Sequence, residues 1–197
     1  MKRGNFCYKI KTLRLNRKVQ HMKVINLIGG PGSGKTTTAS HIFALLKEKQ
    51  IGRVELVGEF AKDVVYDEAF SLFKDQLFIL AQQNHRLERL RDKVDYAIVD
   101  SPLPLILAHA DGIAFNMKRI VTEVFNSYDN INFVLEREAS LPYEEYGRYE
   151  TLEQAKELDK KMVEIFKPFP TIKSNAFKWK EIAEFIMEDY KKDLASA

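Results

Sequence analysis

One cysteine, Cys7, is all the thiol chemistry in the 197 residues, so no internal disulfide can form and a four-cysteine zinc site is excluded. The four histidines, His21, His41, His85 and His109, are scattered without metal-ligand spacing. No apolar run approaches the roughly 20 residues that a membrane span needs. Residues 1–21 contain no acidic side chain against seven basic ones, Lys2, Arg3, Lys9, Lys11, Arg14, Arg17 and Lys18. The segment also lacks the apolar stretch of about 7–15 residues found in a signal peptide. With seven of the 31 lysines and arginines placed there, 24 remain against 28 acidic residues, so the body from Met22 onward carries about −4 despite the overall +3. A nucleic-acid surface spread over the whole domain is therefore not expected. Residues 1–21 read as a disordered extension or the product of an upstream start, with Met22 as an alternative start. A short added strand or helix, and a basic arm touching RNA or acidic lipid, are the competing readings. Residues 22–197 read as one domain, with a cytoplasmic location and no membrane partner as defaults. At 45% hydrophobic and 30% charged residues, the chain has enough apolar material for a real core.

What is present is an alternation of strand and helix patterns. Residues 24–28 (Val-Ile-Asn-Leu-Ile) read as a buried strand, 36–50 as a helix, 54–57 as a second strand, and 67–91 as one long helical region. A third strand over 95–100 ends in an acid, and a helix-rich stretch runs to about residue 128. A strand over 131–135, a helix over 152–166, a short strand near 170–173 and a helix from about 176 complete the pattern. Strands alternating with helices predict a parallel sheet covered on both faces, a three-layer α/β fold with ligands at the carboxyl ends of the strands.

The strongest signal is Gly29-Gly30-Pro31-Gly32-Ser33-Gly34-Lys35-Thr36, which satisfies G-x-x-x-x-G-K-[ST] between a hydrophobic strand and an amphipathic helix. Glycines let the backbone wrap a phosphate and aim its N–H groups inward, and the helix adds its positive end. This loop, with Thr37 behind it, predicts a site for a nucleoside triphosphate, ATP with Mg²⁺. Lys35 reaches the β- and γ-phosphates and the Thr36 hydroxyl ligates the metal. Asp100, at the end of the third strand, is placed as the second metal-orienting group. Ser101 follows it where motors and AAA-type ATPases carry a water-polarising glutamate, and no Asn-Lys-x-Asp motif reads guanine. Phosphoryl transfer to a small acceptor is the chemistry left.

Taken with the phosphate loop, Glu59-Phe60-Ala61-Lys62-Asp63, Asp75-Gln76-Leu77 and Asp100-Ser101-Pro102 resemble the P-loop kinase-like proteins grouped with the ribosylnicotinamide kinase domain of NadR, a group common in phages. The resemblance spans about Lys23 to Ile186 and extends more loosely to deoxynucleoside kinases. It implies a five-stranded parallel P-loop NTPase fold with a kinase lid, and transfer of the ATP γ-phosphate to a nucleoside, nucleotide or related metabolite.

On that resemblance Glu59 is the candidate catalytic carboxylate, accepting the acceptor's proton or helping to hold Mg²⁺; an exposed strand-end glutamate is the alternative. Lys62 and Asp63 are weaker candidates on a solvated helix face. Gln76, Gln83 and Arg86 recur near one helix face and suit recognition of a base or carboxamide edge, against a plain polar stripe. Arg137 and Arg148 fall in the lid region, where arginines neutralise charge on the transferred phosphoryl group; for Arg137 a surface ion pair with its glutamate neighbours competes. Tyr143, Tyr146 and Tyr149 are possible stacking partners or loop packing. Asn175 stands where such folds cradle adenine. Phe177, Trp179, Phe185 and Ile186 read as core, and His109 and Asp111 as structural. The rival class is a nucleotide-binding regulatory or interaction module with little turnover.

Overall fold

Five short runs rich in apolar residues pair into one parallel sheet: β1 (Lys23–Ile28), β2 (Val54–Val57), β3 (Tyr96–Val99), β4 (Asp129–Glu136) and β5 (Ile172–Asn175), in the order β2-β3-β1-β4-β5. The computed structural model describes residues 21–108, 115–138, 140, 142–143 and 150–196. The expectation for residues 1–21 thus falls almost wholly outside the described residues.

Parallel strands covered on both faces bury nearly every side chain. In β1 the alternation splits the core in two. Val24 and Ile28 join one cluster, Ile25 and Leu27 the other. The second cluster lies under α1 (Lys35–Glu48) and the C-terminal α6 (Trp179–Ser196), through Ala39, Ile42, Leu46, Ile182, Ala183 and Ile186. The first lies under α2 (Phe60–Tyr66), α3 (Gln76–Glu88), α4 (Phe115–Asn126) and α5 (Leu152–Phe166), through residues such as Val64, Leu80, Val121 and Met162. The edge strands carry exposed charge, Glu55 in β2 and Lys173 in β5, beside the partly exposed Leu56 and Ile172; the charges discourage edge-to-edge pairing. No described helix is long and apolar enough to cross a membrane.

Two expectations need correction. The one long helical region over 67–91 is in fact two pieces, a 3-10 turn over Phe70–Lys74 and α3 from Gln76, and the separate helix α2 before it ends at Tyr66. The breaks have local causes. Glu68 takes a left-handed backbone (φ 53°), and the Asp75 side chain caps α3 by accepting the Phe78 N–H at 3.0 Å. Phe177 and Phe185, expected in the core, are 59% and 41% exposed, while Ile186 is fully buried. Phe185 still meets Phe133 edge-on at 5.6 Å. The helix α5 begins where expected, because Thr151 and Gln154 form a reciprocal capping box.

A polar pin crosses the centre of the sheet. Asn26 of β1 lies opposite Asn132 of β4, and its Nδ2 donates to the Oδ1 atoms of Asn130 and Asn132, both at 2.9 Å. Asn130 Nδ2 passes on to the Phe125 carbonyl and Asn132 Nδ2 to the Pro170 carbonyl. Asn26 and Asn132 are buried, so removing the shared donor leaves the Asn132 acceptor dry and the half-buried Asn130 without its partner. Asn26→Ala is expected to lower stability by about 1–3 kcal/mol. Urea titration should show this as a lower midpoint with an unchanged slope.

Candidate functional site

The register around β1 assembles the site. Asn26 pairs with Val99 of β3, so Asp100 emerges beside the loop that follows β1. On the other side β4 runs past Ile28, carrying Arg137 to the same end. The loop then turns into α1 at Gly34, whose φ of 87° is unfavourable for any residue with a Cβ. Gly30 is needed for a different reason. A Cβ there would run into the Asp159 carboxylate and stand 2.8 Å from the Ala155 carbonyl, both on α5.

Lys35, the first residue of α1, folds back so that its ammonium donates to the Gly30 carbonyl at 2.9 Å. Burial in the crowded rim of the loop pushes its pKa down, opposed by the charges of Asp100 and Glu59. Thr36 Oγ1 donates to Asp100 Oδ2 at 2.5 Å, and Asp100 is buried with its Oδ1 unpartnered. The Lys62 ammonium reaches both groups, 2.8 Å from Thr36 Oγ1 and 3.4 Å from Asp100 Oδ2. A hydroxyl, a carboxylate with a spare buried oxygen and a cation already seated against them fit a hard divalent ion. Magnesium is commonly held by one or two carboxylates with phosphates and water completing its shell. Among the described residues no group of three or more histidines, cysteines or acids is placed to hold a metal unaided.

Glu59 occupies the turn between β2 and α2, half-buried, as the N-cap residue of α2. Its carboxyl is held above the ordinary range, chiefly by burial and further by the charge of Asp100, with Lys35 opposing. Beside it lies a cavity of about 270 Å³ bounded by Thr36, Gly58, Glu59, Lys62, Arg86 and Asp100. The same side of the molecule therefore offers a phosphate loop, the hydrogen-bonded Thr36–Asp100 pair, a carboxylate of raised pKa and a small adjoining hollow.

The remaining expected residues point elsewhere. Gln83 is buried, its Oε1 accepting the Phe60 N–H at 2.9 Å and its Nε2 donating to the Gly58 carbonyl at 3.3 Å. It shapes the Glu59 turn. Gln76, also buried, donates to the Phe73 carbonyl at 2.6 Å. Arg86 lines the cavity while paired with Asp63, stacked 5.4 Å from the Phe60 ring centre. Arg137 is bound to Asp159, Nε to Oδ2 at 2.7 Å, and its Nη2 donates to the Pro31 carbonyl at 2.7 Å. Asp159 Oδ1 in turn accepts the Gly30 N–H at 2.8 Å. The ion pair weighed for Arg137 thus exists, but with α5 and not with its glutamate neighbours. Asn175 Oδ1 accepts the N–H groups of Phe177 and Lys178, closing the turn before α6. Tyr143 donates to the Glu150 carbonyl at 2.6 Å. Arg148, Tyr146, Tyr149, His109 and Asp111 lie outside the described residues.

One participant has no motif to mark it: Asp159 sits within an amphipathic helix far from any motif, and only the tertiary contact reveals it. Lys62, a weaker candidate on the sequence, is brought by the fold against Thr36 and Asp100.

A carboxyl with a higher pKa in the folded than in the unfolded state holds its proton more tightly when folded. Stability therefore falls as pH rises from the unfolded value through the folded one. Glu59→Gln removes that loss. The variant should be more stable than the parent at about pH 8, and the advantage should vanish near or below about pH 4, where the parent's carboxyl is protonated in both states. Urea titrations at the two pH values check the sign.

Comparisons with known proteins bear on the same features. A family model described as an AAA domain matches residues 24–175, from β1 to the end of β5. No curated protein matches the sequence. Among solved structures, deoxyadenosine kinase from M. mycoides with bound dATP is similar at a TM-score of 0.53 and 19% identity, covering 86% of this chain and 100% of that one. The same enzyme with the products dCMP and a flexible dCDP bound gives 0.49 and 18%, covering 87% and 99%. At such identity the likeness is one of fold. The match over well over half of the chain settles membership: this protein belongs to the AAA-domain family of P-loop proteins, built on a kinase-like fold.

Proposed function

We propose that the protein is a Mg²⁺-dependent kinase that transfers the γ-phosphate of ATP to a nucleoside, nucleotide or related small metabolite. The observation that carries this reading is the cavity of about 270 Å³ that opens directly onto Thr36, Asp100 and Glu59. A phosphate loop that only binds nucleotide has no need of a second hollow with a proton-accepting group at its junction. The relative with bound dATP is a deoxyadenosine kinase, and the NadR-type resemblance keeps ribosylnicotinamide among the acceptors to be tried. The AAA description names a class of nucleotide-binding unit. Ser101 after Asp100 leaves no glutamate there to polarise water, which disfavours a motor-type ATPase.

In this mechanism the backbone N–H groups of residues 32–37 and the Lys35 ammonium hold the phosphates, while Asn175 stands near the base. Thr36 and Asp100 would hold Mg²⁺, which would supply charge neutralisation to the phosphates. Glu59 takes the proton from the acceptor hydroxyl as that oxygen attacks the γ-phosphorus and ADP leaves. Burial raises its pKa above the ordinary carboxylate range, which makes it the stronger base. Arg86, at the cavity wall, orients the acceptor, while Gln83 holds the turn that carries Glu59 and Gln76 supports the start of α3. Arg148 is the lid arginine proposed to meet the transferred phosphoryl group.

One observation favours the rival, a nucleotide-binding module with little turnover: Arg137 is neutralised by Asp159 and faces the outside of the loop at Pro31. The two readings separate in one assay. With MgATP and a panel of nucleosides, nucleotides and nicotinamide riboside, the kinase releases ADP only when its acceptor is present, and Lys35→Ala abolishes the release. Glu59→Gln is expected to lower kcat by about 10²–10⁴-fold with ATP binding little changed. ATP binding with no acceptor effect anywhere in the panel would favour the module.

A further inference from the structure

Thr36 and Asp100 belong to segments 64 positions apart, and Lys62 to a third segment, yet their polar atoms meet at one point. Thr36 Oγ1 lies 2.5 Å from Asp100 Oδ2, and the Lys62 ammonium stands against both, at 2.8 and 3.4 Å. The side chains differ in exposure, 36% for Lys62 against 4% for Asp100. A lysine with open water available has instead been laid across a buried carboxylate. The reason is electrostatic: a buried carboxylate without a countercharge is costly, and the other oxygen of Asp100 is buried with no partner.

A divalent ion held by Thr36 Oγ1 and Asp100 Oδ2 would have to approach the same two oxygens that this ammonium touches. Metal–oxygen distances near 2.1 Å would bring such an ion into direct conflict with the lysine nitrogen, and like charges at that range repel strongly in a protein interior. We propose that the Lys62 ammonium competes with a divalent ion for the Thr36–Asp100 pair and is displaced when that ion arrives with the nucleotide. The inference rests on Thr36 and Asp100 being the metal-holding pair. Room for the displacement exists, since Lys62 borders the same cavity as Glu59 and Asp63. The lysine stem is flexible, so its head can swing to those carboxylates without moving the backbone of α2. The ammonium thus holds the Thr36–Asp100 pair together, and a metal must compete with it.

The test measures Mn²⁺ binding by electron paramagnetic resonance, with and without ADP, in the full chain. Lys62→Met and Lys62→Gln should each bind Mn²⁺ on the order of 10-fold more tightly than the parent. Arg86→Met removes one positive charge from the same cavity without freeing the Thr36–Asp100 pair, and should change the affinity by no more than about 2–3-fold. Asp100→Asn should lose the site in every background. Thermal melts confirm that each variant is folded, and the second Lys62 substitution stands in should the first fail to fold. The proposal is overturned if both Lys62 variants bind Mn²⁺ as the parent does, or if Arg86→Met gains as much. Retention of Mn²⁺ by Asp100→Asn would instead sink the metal assignment itself, so the two failures are distinguishable.

Discussion

The hydrogen bonding of β1 on both of its edges is the constraint on which the rest depends. Because β1 lies between β3 and β4, the loop after it is flanked by Asp100 on one side and by the approach to Arg137 on the other. A one-residue slip of β1 against β3 would reverse the faces of Val24, Ile25, Leu27 and Ile28 and pull Asp100 away from Thr36. Two devices oppose that slip. Each face of β1 feeds a separate apolar cluster, and Asn26 is pinned to Asn130 and Asn132 in one register only.

Upon this frame sits a concentration of charge that is unfavourable by itself. Lys35, Glu59, Lys62 and Asp100 crowd one rim, where burial lowers the lysine of the loop and raises the glutamate of the β2–α2 turn. Neither shift benefits folding. Both suit groups whose partners are to come from a ligand, since phosphates favour a charged Lys35 and a reacting hydroxyl favours a Glu59 ready to accept a proton. Within the rim the Lys62 ammonium is paired with the Asp100 carboxylate and offsets part of its charge.

Several residues that motif reasoning aimed at ligands are instead bound to protein. Gln83 secures the turn that carries Glu59, and Arg137 with Asp159 clamps the outside of the phosphate loop through Gly30 and Pro31. Their effect on the site passes through backbone position. Such supporting contacts are what hold a reactive group within the narrow range of useful geometry. They also explain why Gly30 admits no side chain: the clamp presses α5 against the loop at that point.

The fold was readable because its determinants are local. The runs of β-branched residues, their alternation with helical spacing and the glycine loop between the first strand and helix require no knowledge of distant contacts. On that basis the parallel sheet, the helix at 152–166 and the pairing of Thr36 with Asp100 are legible. The break within 67–91 was legible too, had Asp75 been weighed as a cap. The assignments that depend on tertiary placement were not. Which atoms face Gln83, whether Arg137 meets solvent or Asp159, and where the Lys62 ammonium rests are settled by segments 20 to more than 100 positions away. Sequence by itself determined that a phosphate loop stands at the carboxyl end of a parallel sheet, because backbone conformation and burial pattern are written in neighbouring residues. Tertiary structure alone decided which charges around that loop are already spoken for, because a charge chooses its partner by proximity in space.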